Sequence, residues 1–339
     1  MKAVALTHYL PISDPQALFD TELPQPSPTG HDILVRVEAV SVNPVDTKVR
    51  APKDKVEDSP KVLGYDAAGV VESVGDGVTR FNLGDRVYYS GDITRPGTNA
   101  EFQLVDERLV GKLPQSLTFA EAAALPLTTI TAWEALFTRL SIDRAGSNRG
   151  QSILIIGGAG GVGSIAIQLA KLAGLVVIAT AARPQSQAWV KQLGADHTVD
   201  YSEAMIEKMA QLGHREVDFI ANFNNTDAYW AVMAELIRPQ GKIVGIVGNQ
   251  DPLDLNLLKT KSASFTWEFM FTRSMYQTAD MADQGQLLDQ VAALVDAGKL
   301  RTTLGETLSP INAANLRQAH RQIESGRTIG KLVLEGWDR

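Results

Sequence analysis

Three glycines spaced Gly158-x-Gly160-x-x-Gly163 stand between an apolar run, Ile153-Leu-Ile-Ile156, and an amphipathic stretch, Ile165-Ala-Ile-Gln-Leu-Ala-Lys171. That order predicts a buried strand, a tight turn and a helix. Gly158 is expected to make the turn, Gly160 to let a pyrophosphate approach bare backbone, and Gly163 to let the helix pack on the strand. The helix start, Gly161, Val162 and Gly163, would then aim free N–H groups at the phosphates. A glycine-rich turn of some other α/β fold is the alternative. The strand before and the helix after favour a bound dinucleotide.

Which dinucleotide binds is expected to depend on the end of the second strand, where a carboxylate would grip a free ribose 2′-hydroxyl. Here Val176-Val-Ile-Ala-Thr180 is followed by Ala181-Ala-Arg183-Pro184, with no acid. Arg183 offers a planar guanidinium suited to a 2′-phosphate, which points to NADPH; its alternative role is to solvate the loop. Tyr201, after the third strand, either stacks or bonds near the same phosphate or simply packs.

The elements that must position these residues follow from pattern. Beyond the glycine turn, strands are predicted near His197–Val199, Val217–Ala221 and Lys242–Val247 with helices between them, and Pro239-Gln-Gly241 reads as a helix stop. Such alternation means a parallel, doubly wound sheet. The first third differs. Ile33, Val35, Val37 and Ala39 alternate as one face of a half-buried strand, and turn signals such as Gly75-Asp-Gly77 and Gly84-Asp85 recur. After about Phe265 the βα rhythm stops; helices are predicted near Gly285–Ala297 and Ala313–Ser325, then a strand at Lys331–Leu334. The expected organisation is α/β: a β-rich domain over 1–125 plus 266–339, with a dinucleotide domain at 126–265 inserted in it.

Composition narrows the function. The chain has 339 residues, 44% hydrophobic and 21% charged, which is ordinary for a globular protein with two domains. A net charge of −7 gives no basic footprint, so neither nucleic acid nor an anionic membrane is an expected partner. No run is long and apolar enough to span a bilayer, and the first residues, broken by His8 and Pro11, lack a signal-peptide core; a cytoplasmic location is expected. The sequence has no cysteine, which excludes disulfides, thiolate catalysis and every cysteine-based zinc site. His8, His31, His197, His214 and His320 show no paired metal-ligand spacing.

Ser41-Val-Asn-Pro-Val-Asp-Thr47, Gly64-Tyr-Asp-Ala-Ala-Gly69, Gly84-Asp-Arg-Val87, Ala124-Leu-Pro-Leu-Thr-Thr-Ile-Thr-Ala-Trp133 and Ser325-Gly-Arg-Thr-Ile-Gly-Lys-Leu-Val333 lie in an order that resembles the medium-chain dehydrogenase/reductase superfamily along essentially the whole chain. The resemblance implies a GroES-like substrate domain, a Rossmann domain and a homodimer or homotetramer. Within the superfamily the chain is similar to the zinc-independent, quinone oxidoreductase-like branch, and also to proteins labelled zinc-type alcohol dehydrogenase-like. The positions that hold catalytic zinc in the zinc enzymes match Asn43, Tyr65 and, less securely, Leu127, so no metal is expected. Asp46 and Asp66 read as charge partners inside the domain.

Without a metal to stabilise an alkoxide, the resemblance implies a more electrophilic small-molecule acceptor: a quinone, or the C=C bond of an α,β-unsaturated aldehyde or ketone. By the same carry-over, Tyr65 either donates its phenol to the substrate oxygen or fills the space left by the metal, and Asn43 holds the nicotinamide ribose or the substrate. Asp46 beside Lys48 reads as a structural ion pair more readily than as a proton relay. Thr131 is expected at the nicotinamide face, or as a cap at the start of its helix. Lys331 is expected to face the cofactor phosphates, with a surface lysine as the alternative. Trp267 and Phe269, in an aromatic stretch, either line the substrate pocket or belong to core or interface. A non-catalytic NADPH-binding protein is the competing class of function.

Overall fold

The apolar run before the glycines is the strand Ser152–Ile156, with every residue buried. Burial on both faces explains why it reads as an unbroken run of Ile and Leu and does not alternate. Parallel neighbours flank it, Val176–Thr180 on one side and Val217–Asn222 on the other. The sheet runs His197–Val199, Val176–Thr180, Ser152–Ile156, Val217–Asn222, Ile237–Gly245, Ser264–Trp267, and every pair in it is parallel. Numbered along the chain this is the 3-2-1-4-5-6 order of a doubly wound dinucleotide fold. Each fully buried Leu or Ile of its core contributes about 1.5–3 kcal/mol.

The computed structural model describes residues 1–201 and 204–338, and clusters them into two units: Met1–Ile130 with Phe271–Arg339, and Thr131–Met270. The six-stranded sheet belongs to the second. Its helix Thr226–Leu236 ends before the expected stop, and Ile237 already pairs with Val217. The segment 238–241 then bulges out, with Gln240 at φ 63°, before Lys242 resumes pairing opposite Phe219. Pro239, which has no N–H for the ladder, is accommodated in that bulge.

The other unit is mostly antiparallel. One sheet orders Leu304–Leu308, Lys331–Glu335, Asp32–Val42, Asp66–Val74, Arg86–Ser90 and Val110–Lys112, with Phe102–Asp106 also paired to Asp32–Val42. Ile33, Val35, Val37 and Ala39 are buried as expected. A register shift between Val37 and Ala39 brings Val40 and Val42 into the core of Ile33, Val35 and Val37, while Arg36 and Glu38 stay partly exposed. A second sheet orders Phe19–Glu22, Lys2–Tyr9 and Lys53–Val62. Its last member, rich in Lys, Asp and Glu and mostly exposed, carries no apolar alternation for pattern reading to find. The helices Asp283–Asp296 and Ala313–Glu324 complete this unit. Among the described residues no helix is long and apolar enough to cross a membrane.

Candidate functional site

The turn between Ser152–Ile156 and the helix Gly161–Leu172 distributes its glycine requirements differently from the sequence expectation. The left-handed residue is Gly157, at φ 90°, so Gly157 and not Gly158 makes the tight turn. Gly158 is needed for space, because a Cβ there would stand 2.9 Å from Ala179 Cβ on the neighbouring strand. A Cβ on Gly163 would overlap the Gly157 carbonyl and come within 2.7 Å of Gly158 Cα, so the helix packs on the turn itself. Around Gly160, the N-cap, the nearest atom is the Gly157 oxygen at 3.4 Å. Thr180 fastens the turn to the second strand by accepting the Gly157 N–H at 2.8 Å. The first-turn N–H groups, those of Gly161, Val162 and Gly163, have no intrahelical acceptor and meet no capping side chain from Gly160. This arrangement can hold an anionic phosphate with backbone alone.

Arg183 leaves the end of Val176–Thr180 as the N-cap of the helix Pro184–Gln192 and is half-buried. Its backbone is fixed by Ser186, whose hydroxyl accepts the Arg183 N–H at 3.1 Å and donates to the Arg183 carbonyl at 2.8 Å. Tyr201 reaches the same strand end, its hydroxyl 3.5 Å from the Thr180 carbonyl, and its ring tilts against Tyr229. The structure thus brings these two candidates to one strand terminus.

In the first unit, strand register assembles a buried polar cluster. Ser41 pairs with Asp66 and Val42 with Leu332, so Asn43, Asp66 and Lys331 meet at adjoining strand ends. Lys331 is buried, and its ammonium donates to the Val42 carbonyl at 3.0 Å, to Asn43 Oδ1 and to Asp66 Oδ2 at 3.4 Å. The expectation that it faces cofactor phosphates is therefore corrected: its charge is directed into the cluster, to compensate Asp66. Asp66 in turn accepts the Asn43 amide at 2.8 Å and, on its other oxygen, the Leu127 N–H at 2.7 Å. Leu127 lies in the first turn of the helix Pro126–Trp133, so Asp66 also sits at the positive end of a helix dipole. Burial pushes Asp66 up and Lys331 down, while both carboxylate oxygens act only as acceptors, as an ionised group does.

Asn43 is the N-cap of the helix Pro44–Arg50, and its N–H donates to Asp46 Oδ2 at 2.6 Å. Asp46 is buried, and its Oδ1 has no hydrogen-bond partner. The expected Asp46–Lys48 ion pair does not form, because residues two apart on a helix point to different sides and Lys48 is exposed. Burial, opposed by the Asn43 N–H and by Lys331, pushes the Asp46 carboxyl up to about 7. Tyr65 is buried edge-on against Phe271 with ring centroids 5.2 Å apart. Burial first, then the charge of Asp46, raises its phenol above the usual range, so it stays a protonated donor.

Thr131 is buried near the end of Pro126–Trp133, so it is not the cap that a helix-start position would make it. Trp267, 42% exposed at the end of the edge strand Ser264–Trp267, meets Phe265 edge-on at 4.8 Å, and Phe269 is 44% exposed. Sequence reasoning gave no sign of the inward lysine or of Asp66 as a helix cap; both depend on strand register. At the matched metal positions stand an amide, a phenol and an aliphatic side chain, with an ammonium beside them. Among the described residues no group of His, Cys, Asp and Glu could hold a metal. These residues do not fit a zinc ion.

Comparison with known proteins places this geometry. Residues 29–126 match the alcohol dehydrogenase GroES-like domain, and residues 193–334 match the zinc-binding dehydrogenase model. A zinc-type alcohol dehydrogenase-like protein of Staphylococcus aureus strain Mu50 is 44% identical over 91% of this chain and 92% of its own length. The 2-methylene-furan-3-one reductase of Solanum lycopersicum is 32% identical over 89% of this chain and 71% of its own. Among solved structures, a Rhizobium etli CFN 42 protein described as a zinc-dependent alcohol dehydrogenase shares 54% identity at TM-score 0.95, covering 100% of this chain and 99% of that one. The quinone oxidoreductase of Pseudomonas syringae pv. tomato DC3000 shares 28% at TM-score 0.83, covering 99% of each. The mycobacterial protein Rv1454c, solved with NADPH, shares 26% at TM-score 0.84, covering 99% of this chain and 100% of that one.

Proposed function

The chain belongs to the medium-chain dehydrogenase/reductase superfamily of oxidoreductases, and from that premise we propose that it is a zinc-independent, NADPH-dependent reductase of quinones. The observation that carries this reading is the cluster at Asn43, Tyr65, Asp66 and Lys331. It offers the Tyr65 hydroxyl as a donor beside an internal cation, and no thiolate or imidazole. An unactivated alkoxide would go unstabilised there, whereas a quinone delocalises the incoming charge itself.

Bound NADPH supplies a hydride to the acceptor. The residues of the chain do the rest. The turn from Gly157 to Gly163 holds the pyrophosphate on backbone N–H groups, and Arg183, with Tyr201 beside it, holds the 2′-phosphate. Tyr65, always protonated, donates to the substrate oxygen, and Asn43, fixed by Lys331 and Asp66, keeps the polar wall rigid. The mycobacterial neighbour solved with NADPH and the Pseudomonas quinone oxidoreductase support this assignment by similarity. A second reading, reduction of an α,β-unsaturated carbonyl, is favoured by the tomato relative, whose name itself denotes an unsaturated ketone.

The test is the decay of NADPH absorbance with a quinone, then with an enone, with NADH in parallel and a chelator in a further sample. NADPH-selective oxidation unaffected by the chelator is expected, and the faster acceptor selects between the two readings. Tight NADPH binding with no decay on either acceptor would instead identify a non-catalytic binding protein.

A further inference from the structure

We propose that Trp189 is a positioning residue for cofactor selectivity: its indole fixes how far Arg183 stands from the glycine turn, and so decides whether one dinucleotide can use both phosphate sites. This role presupposes Arg183 as the ligand of the 2′-phosphate, and it names what holds that guanidinium in place. The pyrophosphate and the 2′-phosphate of NADPH keep a separation set by the cofactor's own covalent frame. A protein gains affinity from both groups when its two sites are held at that same separation beforehand.

The two sites open different helices. The N–H groups of Gly161, Val162 and Gly163 begin Gly161–Leu172, and Arg183 caps Pro184–Gln192. Ser164, the residue after the last glycine of the turn, is fully buried at the head of the apolar run Ile165-Ala-Ile167. A hydroxyl buried there needs a partner. It accepts the Trp189 indole N–H at 2.8 Å. Trp189 lies six residues beyond Arg183 on the same helix, about 9 Å along its axis, so the bond ties Arg183's helix to the first turn of the other.

The neighbouring contacts do different work. Val190 is buried against the turn, 3.4 Å from where a Cβ on Gly158 would stand, which sets how closely the helix approaches but, being apolar contact, gives it no direction. Gln187 donates to the Ala181 carbonyl at 3.2 Å and Ser186 bonds the Arg183 backbone, and both are links within this one helix and its own strand. The indole bond is directional and crosses from helix to helix. Without it both helices and both sites persist, at a separation no longer held. NADH, which has no 2′-phosphate, is indifferent to that separation.

The experiment is a calorimetric titration of the full chain with NADPH and with NADH, for wild type, Trp189→Phe, Ser164→Ala, Arg183→Ala and Trp189→Phe combined with Arg183→Ala. Trp189→Phe keeps a ring and deletes the donor; the NADPH Kd should rise about fivefold while that of NADH moves by less than about twofold. Ser164→Ala removes the same bond from the other helix and should reproduce this shift, so the outcome does not hang on the folding of one variant. In the Arg183→Ala background Trp189→Phe should add nothing, because it acts through that guanidinium. Equal losses for both cofactors overturn the positioning role, and so does a fully additive loss of about fiftyfold in the combined variant. An NADPH preference unchanged in both single variants overturns it while leaving the 2′-phosphate reading intact. Wild type that binds NADPH and NADH equally sinks that reading, and the role of Trp189 with it.

Discussion

One short stretch of chain makes the turn from Gly157 to Gly163, whereas the cluster around Asp66 draws Asn43, Asp46, Leu127 and Lys331 from distant parts of the sequence. The turn depends on what is missing, since glycine hydrogens give a phosphate and a helix room to approach. The cluster depends on what is matched, since each buried charge or amide has a specific partner. A local device of the first kind is robust to events elsewhere and intolerant of any added atom. A distributed one fails when a single member is removed, because its partner is left buried and uncompensated.

This contrast can be broken experimentally, and the largest effect should come from the cluster. Lys331→Met would strand Asp66 without its cation and should cost about 3–5 kcal/mol, read as a lower urea midpoint. An unchanged midpoint would mean that Asp66 has taken up a proton at no cost. Next comes the turn. Gly163→Ala must push the helix off the Gly157 carbonyl, at about 1–3 kcal/mol, and NADPH binding should be lost even where the protein remains folded. Fluorescence titration of the folded variant checks this, and retained affinity would show that the turn is not the phosphate site. Arg183→Ala should weaken NADPH by about tenfold, roughly 1.5 kcal/mol, and leave NADH unchanged; equal losses for both cofactors would place the guanidinium elsewhere.

The smallest effect belongs to a buried group outside both regions. Among the described residues neither ring nitrogen of His320 has a hydrogen-bond partner, and burial, then Arg50, lowers the imidazole to about 3. Its folded value lies below the unfolded one, so the unfolded chain binds the extra proton first. Wild type should therefore lose stability as pH falls from about 6.5 towards 3. His320→Leu should change stability at pH 7 by less than about 1 kcal/mol and flatten that acid limb. Denaturant midpoints at pH 7 and pH 5 decide the matter; a limb of unchanged steepness would point to the carboxylates.

What could be read before the structure follows the same division. The strands Val176–Thr180 and His197–Val199 and the helix over Ala313–Glu324 show in local pattern, because burial on a sheet or a helix face leaves periodic apolar residues. The glycine turn was legible from its spacing between a strand and a helix, although Gly157, and not Gly158, makes the tight turn. Lys331 was misread because nothing in its own neighbourhood reveals that Val42 and Asp66 will lie across from it. The Asp46–Lys48 pair failed on helix geometry alone, and the strand Lys53–Val62 went unseen because its residues are mostly in water.

Because the first unit is completed by Phe271–Arg339, its assembly has an order imposed by synthesis. Thr131–Met270 can leave the ribosome and fold while the strand Lys331–Glu335 does not yet exist. At about 5–20 residues per second the nascent unit waits for several seconds, with the edge of Asp32–Val42 open and both aspartates lacking their counter-ion. The arrival of Lys331 closes that edge and neutralises the interior in one event, so a chain truncated before it should leave an unfinished sheet for the quality-control machinery to recognise.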